Sequence, residues 1–217
     1  MALKPLSGKI ALVTGAGQNI GRGIALSLSA SGATIVVNGR DNEGLVSETV
    51  AEIKKNGGNA VGYMADISDP ISVKTLIDKT KNDLGGLDIL ICNAGLRRQT
   101  KFLDMSFSEW REILSVALDG AFLLTKAAVP LLIERGGGSI IALSGISHHI
   151  GTVNRCHVSA SKAGLEGLMR SLAMELAPYG ITCNCVAPGI INTVRGKASG
   201  ERPTNSCLLY TSDAADE

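Results

Sequence analysis

Thr14-Gly15-Ala16-Gly17-Gln18-Asn19-Ile20-Gly21 joins an apolar run that begins at Ile10 to a stretch with the period of an amphipathic helix. Glycines in that strand-to-helix context let the backbone turn tightly and approach a bound group closely. The unpaired N–H groups and positive dipole end of the following helix then favour negative charge, so the segment is a candidate cradle for a diphosphate.

Outward from this turn, segments rich in Val and Ile alternate with helical stretches along nearly the whole chain. Strands are expected at residues 10–14, 34–38, 60–65, 88–92, 139–143 and 182–186. Such alternation implies an α/β fold with a doubly wound parallel sheet, helices on both faces making three layers. Several helix ends are legible. Asp69-Pro70 offers a side-chain acceptor at an N-cap with Pro at the first helical position, and Ser106 with Glu109 has the spacing of a capping box. Gly32 and Gly57 fall where left-handed caps are wanted. One long helix is expected over 107–133, with Trp110, Ile113, Leu114, Ala117, Leu118, Ala121, Leu124 and Ala128 facing the core.

The periodic pattern stops near residue 195. A single domain over 1–200 is expected, followed by an unstructured tail at 201–217, within which 207–217 reads as a translated sequencing artefact. Lys+Arg (21) and Asp+Glu (20) nearly cancel, so no long-range field would gather nucleic acid or an anionic membrane. The amino-terminal segment lacks a signal-peptide layout, and Asp119 and Lys126 interrupt the longest apolar stretch. A cytoplasmic protein acting on a small molecule is the expectation. Cys92, Cys156, Cys183, Cys185 and Cys207 show no C-x-x-C spacing and are read as thiols, with neither a disulfide framework nor a metal site.

With these marks in place, the chain resembles the short-chain dehydrogenase/reductase family. Thr14 to Gly21 is similar to its T-G-x-x-x-G-x-G segment, with Asn19 in the middle glycine's place, a residue that tolerates a left-handed backbone. Asp66 after the third strand, Asn93-Ala94-Gly95 after the fourth, Lys162 on a late helix and Pro188-Gly189 after the sixth strand follow in the family's order. The resemblance covers roughly residues 5 to 195. It implies a Rossmann-type sheet, incomplete at its C-terminal edge because the family's later segments are missing. It also implies a nicotinamide cofactor held by Thr14, Gly15, Gly17, Asn19, Ile20, Gly21, Arg40, Asp66, Ile67, Asn93, Ala94, Gly95, Lys162, Pro188 and Gly189. Asp66 would accept from the adenine amine, and Asn93 with Gly95 would line the cofactor's middle. Val37-Asn38-Gly39-Arg40 carries no carboxylate before Arg40, whose guanidinium suits a 2′-phosphate, which favours NADP over NAD. A homodimer or homotetramer is implied for the full-length parent.

The family's proton-transfer residues are a Tyr, a Lys four positions later, a Ser and a helical Asn. Here Lys162 is kept, but the Tyr position is Val158, the two expected serines are Ser144 and Gly145, and the Asn position is Ala117. A positioned general acid contributes roughly 10² to 10⁴ in rate, so its loss without replacement would cripple carbonyl reduction. His157 lies about 140° from Lys162 around a helix and is a poor substitute. His148 and His149 follow the strand ending near Ser144, where an imidazole can serve proton transfer or substrate binding near neutral pH. The expected activity is hydride transfer to or from a small alcohol or ketone, sugar-derived or 3-oxoacyl in type. The alternative is a nucleotide-binding regulatory protein without turnover.

Overall fold

The computed structural model describes residues 4–189 and 191–194. Six strands, β1 (Ile10–Val13), β2 (Thr34–Gly39), β3 (Asn59–Met64), β4 (Ile89–Cys92), β5 (Gly138–Leu143) and β6 (Ile181–Val186), form one sheet in the order β3-β2-β1-β4-β5-β6. Every pairing is parallel. Parallel strands need long crossovers, and helices supply them: α1 (Asn19–Ala30), α2 (Glu43–Lys55), α3 (Pro70–Leu84), α4 (Phe107–Leu114) continuing into α5 (Gly120–Glu134), the one-turn α6 (Ser147–Ile150) and α7 (Cys156–Leu176). All six expected strands are present, shifted by about one residue at their ends.

Each face of the sheet has its own core. Ala11, Val13, Ile35 and Val37 pack under α1 and α2 through Ala25, Val46 and Ile53. Leu12, Val36, Leu90 and Ile140 pack under α3, α5 and α7 through Leu76, Leu124 and Leu165. The strands are therefore apolar on both sides, as a centrally buried parallel sheet demands. On β6 the sides differ: Ile181 and Cys183 are buried, whereas Thr182, Asn184 and Val186 are exposed.

The Asp69 carboxylate accepts from the backbone N–H of Ser72 at 2.8 Å and caps α3 as expected, with Pro70 first in the helix. Gly32 and Gly57 adopt φ of +104° and +79°. Two expectations need correction. The helix over 107–133 is not uniform, because Ser115–Asp119 forms a wider π-type turn between α4 and α5. The capping box at Ser106 is half made: Ser106 Oγ accepts from the Glu109 N–H, but the Glu109 carboxylate accepts from Thr100 Oγ1 and approaches His157 instead of reaching back. The span Phe107–Glu134 is, by length and composition, apolar enough to cross a membrane despite Asp119 and Lys126. Half of its most apolar stretch is buried in the fold. The expected tail at 201–217 lies outside the described residues.

Candidate active site

The sheet order reverses between β1 and β4, and open α/β sheets bind ligands beyond the carboxyl ends of their strands at such a point. Thr14, fully buried at the end of β1, holds the loops after β1 and β4 in register. Its hydroxyl donates to Ile91 O and accepts from the N–H groups of Asn93 and Ala94. Asn93 answers from β4, its Nδ2 donating to Thr14 O and Gly15 O. Both residues thus brace the glycine turn, a structural task the sequence reading did not assign to them.

The turn itself is tight. Gly15 has φ of +61°, and a Cβ on Gly21 would stand 2.3 Å from Gly15 O and 2.5 Å from Asn93 Nδ2. Gly17 packs on Leu45 of α2. Asn19 takes φ of +53°, the left-handed conformation expected of it, and exchanges hydrogen bonds with the main chain of Val194 in both directions. Ile20 lies in the first turn of α1, whose N-cap, Gln18, makes no side-chain hydrogen bond and whose first turn has no acid. Orphan N–H groups and a dipole end without a side-chain cap fit a diphosphate in charge and in shape.

At the end of β2, Asn38 is buried and its Nδ2 donates to Gly39 O, Tyr63 O and Ala65 O. This ties β2 to β3 and sends Arg40 out at the carboxyl edge. Arg40 Nε donates to Asp41 at 2.7 Å, so the guanidinium and the neighbouring acid form a pair. Asp66 follows β3. Burial works against its ionisation, but hydrogen bonds from the Ser68 hydroxyl and N–H, with the charge of Arg40, outweigh it and hold the carboxyl below the usual range. Ile67 is buried, and its carbonyl lies 3.1 Å from where a Cβ on Gly120 would be, so the helix after the π-type turn packs directly on this loop.

Lys162 on α7 reaches the same edge, its Nζ donating to Leu143 O at the end of β5. Burial, reinforced by the charge of Arg97, lowers its pKa to about 8. Nζ would stand 3.7 Å from a Cβ on Gly95, so the loop after β4 passes close to the amine. The three substituted positions are apolar or bare: Val158 and Ala117 are buried and Gly145 has no side chain. His157 is fully buried and its partner is Glu109, 3.3 Å away.

His148 and His149 sit on α6, an element absent from the sequence expectation, and converge on Glu166. The distances from Nε2 of each ring to Glu166 Oε1 are 3.2 and 3.4 Å. Ser144 Oγ donates to the same oxygen at 2.8 Å. Burial opposes ionisation of Glu166, yet the Ser144 hydroxyl and the two imidazoles hold its carboxyl below the usual range. Glu166 was missed from sequence, although its place four residues after Lys162 puts the two on one face of α7. Pro188 is placed by its carbonyl, which accepts from Ile146 N at 3.3 Å, and Gly189 follows it, exposed. Burial raises the thiols of Cys92, to about 12, Cys185, to about 11, and Cys183. They behave as core residues, and no disulfide joins the described cysteines.

Comparison with known proteins agrees with this geometry. Residues 9–203 match the family described as short chain dehydrogenase. A 3-oxoacyl-[acyl-carrier-protein] reductase from Synechocystis sp. is 38% identical over 188 residues, which span 87% of this chain and 76% of that protein. An L-rhamnose 1-dehydrogenase (NAD(P)(+)) from Sphingomonas sp. is 36% identical over 88% of this chain and 76% of its own length. The crystal structure of a short-chain type dehydrogenase/reductase from Mycobacterium marinum superposes with a TM-score of 0.82 at 36% identity, covering 87% of this chain and 78% of that one. By the glycine turn, the sheet order and these matches, the chain belongs to the short-chain dehydrogenase/reductase family.

Proposed function

We propose that the chain is an oxidoreductase that moves hydride between a nicotinamide dinucleotide, NADP in preference to NAD, and a small alcohol or ketone, sugar-derived or 3-oxoacyl in type. The observation that carries this reading is the uncapped start of α1, set where the strand order reverses, with Lys162 drawn to the same edge. Relatives named as a 3-oxoacyl reductase and a sugar dehydrogenase support the substrate class. The dinucleotide, when bound, supplies or takes the hydride; binding, orientation and proton handling fall to the protein.

In this reading the backbone of Gly15, Gly17, Asn19, Ile20 and Gly21 holds the diphosphate, with Thr14 bracing the turn. Arg40 takes the 2′-phosphate, and Asp66 with Ile67 receives the adenine edge. Asn93, Ala94 and Gly95 line the middle of the cleft, Pro188 and Gly189 border it, and Lys162 holds the ribose hydroxyls. Ser144, His148 and His149 stand in for the missing Tyr, in proton transfer or in holding the substrate. The protein acts as one domain over 1–200, in the cytoplasm, and self-assembles as a dimer or tetramer through its long helices.

Calorimetric titration with NADPH and NADH tests the foundation. Saturable binding, tighter for NADPH and abolished by Gly21→Val, is expected; no affinity for either coenzyme overturns the reading. Arg40→Ser should weaken NADPH by about 10- to 100-fold, the worth of a charge-assisted contact, and leave NADH unchanged. Turnover with a panel of ketones and polyols should be lost on joint exchange of His148 and His149 for Ala, and full retention would remove both from the site. NADPH binding without turnover would instead mark a regulatory nucleotide-binding protein.

A further inference from the structure

The His148–His149–Glu166 cluster leaves a buried polar atom unpaired, which the proposed reaction does not account for. His148 Nδ1 lies 2.6 Å from Gly145 O. A carbonyl only accepts, so Nδ1 carries a proton and donates it to Gly145, which leaves Nε2 as the ring atom facing Glu166. That Nε2 is buried, makes no hydrogen bond, and stands 3.2 Å from Glu166 Oε1. A buried ring nitrogen beside a carboxylate oxygen is thus left without a hydrogen bond, and an unpaired polar group in a buried place is costly. A proton shared between them would have to lie near the N···O line, and the pair does not meet hydrogen-bond geometry. A cation placed off that line, bonded to both atoms, gives the nitrogen its partner.

The geometry points to a binding site for one divalent transition-metal cation of the zinc class, with His148 Nε2, His149 Nε2 and Glu166 Oε1 as its protein ligands. Bonds of 2.0–2.1 Å in a tetrahedron separate neighbouring ligand atoms by about 3.3 to 3.4 Å. The two nitrogen-to-oxygen separations, 3.2 and 3.4 Å, are already that long. The ligand atoms of the three side chains all lie within 4.8 Å of one another, close enough to share one ion after a small movement. His149 can supply the movement, since its side chain is 54% exposed and that of His148 only 7%. Supporting contacts of the usual kind are in place. Gly145 O fixes the tautomer and ring plane of His148, and Ser144 Oγ donates to the ligating carboxylate oxygen. Imidazole with carboxylate suits Zn²⁺ better than the hard alkaline-earth cations. Three protein ligands leave a fourth tetrahedral position for water or a substrate oxygen.

The test is direct titration of the chelator-treated chain with Zn²⁺ alone, and with Co²⁺ as a spectroscopic probe, with no coenzyme or substrate present. Its failure would therefore leave the oxidoreductase reading untouched, and the failure of that reading would leave this one standing. One equivalent of metal should bind, and His148→Ala or Glu166→Gln should weaken it by 100-fold or more. Ser144→Ala, which removes only a supporting contact, should cost about 10-fold. The Co²⁺ form should give the visible absorption of a tetrahedral nitrogen and oxygen site without a thiolate charge-transfer band. That spectrum, taken on the unaltered chain, decides the matter even if a variant does not fold. Absence of saturable binding, affinity unchanged by His148→Ala and Glu166→Gln, or a thiolate band would each overturn the assignment.

Discussion

Lys162 is the one family proton-transfer residue that keeps its identity, and its surroundings set a measurable stability signature. Its pKa in the folded chain is about 8, against about 10.4 for an ordinary Lys, because burial penalises the ammonium. The sign follows from linkage. The penalty on folding is fully present below about pH 8 and disappears as pH rises toward the unfolded value. Relative to Lys162→Met, the wild-type chain should therefore gain about 3 kcal/mol of unfolding free energy between about pH 8 and pH 10.5. Urea denaturation of both proteins across that range would show it, and a constant difference between them would refute it. Gly21 is a second single-atom constraint. A Cβ there meets backbone at 2.3 Å, so Gly21→Ala should cost about 1 to 3 kcal/mol even without any ligand, measured in the same way. The need for glycine at this position was readable from the motif. The roles of Asn93 and Glu166 were not, because each depends on a partner distant in the chain: Thr14, 79 residues from Asn93, and Ser144, 22 residues from Glu166.

Helices and strands were legible where local chemistry alone decides them. Asp69 with Pro70 fixed the start of α3 because cap and helix lie within four residues of each other. Asp69→Ala should cost about 1 kcal/mol, since it orphans the N–H of Ser72 while Val73, Leu76 and Ile77 stay packed in the core. A thermal or urea midpoint measurement would detect that loss, and an unchanged midpoint would mean that water replaces the cap at no cost. Ser106 illustrates the limit of local reading. Its capping-box partner Glu109 has the right spacing but is drawn to Thr100 and to buried His157, which no local pattern could foretell. The π-type turn at Ser115–Asp119 is invisible for a similar reason. The apolar positions on either side keep helical spacing, and Ala121, Leu124 and Ala128 remain buried, so the period carries no trace of the extra residue. α6 escaped notice because four residues are too few to show a period. It is nevertheless the element that brings both histidines to Glu166.

The doubly wound parallel architecture follows from the alternation of strands and helices together with the right-handed sense of parallel crossovers, whereas the order β3-β2-β1-β4-β5-β6 is seen only in the structure. Nor does alternation specify how evenly the two faces are covered. Beneath α7, β6 buries Ile181 and Cys183; on its other side Thr182 and Asn184 are exposed and Val186 keeps 49% of its surface. Among the described residues β6 is also the outer strand, so its free backbone groups and an apolar side chain face outward together. An unpaired edge of this kind is a template for adding a further strand from another molecule. The chain should therefore associate in a concentration-dependent way in size-exclusion chromatography with light scattering. A charge at the edge opposes such pairing, so Val186→Lys should shift the distribution toward smaller species while leaving the circular dichroism spectrum unchanged. Association through the long helices would respond differently, because α4, α5 and α7 do not include Val186. A wild-type chain that elutes as a monomer at every concentration would show that this edge is protected. Association unaltered by Val186→Lys would place the contact elsewhere, on the helical face.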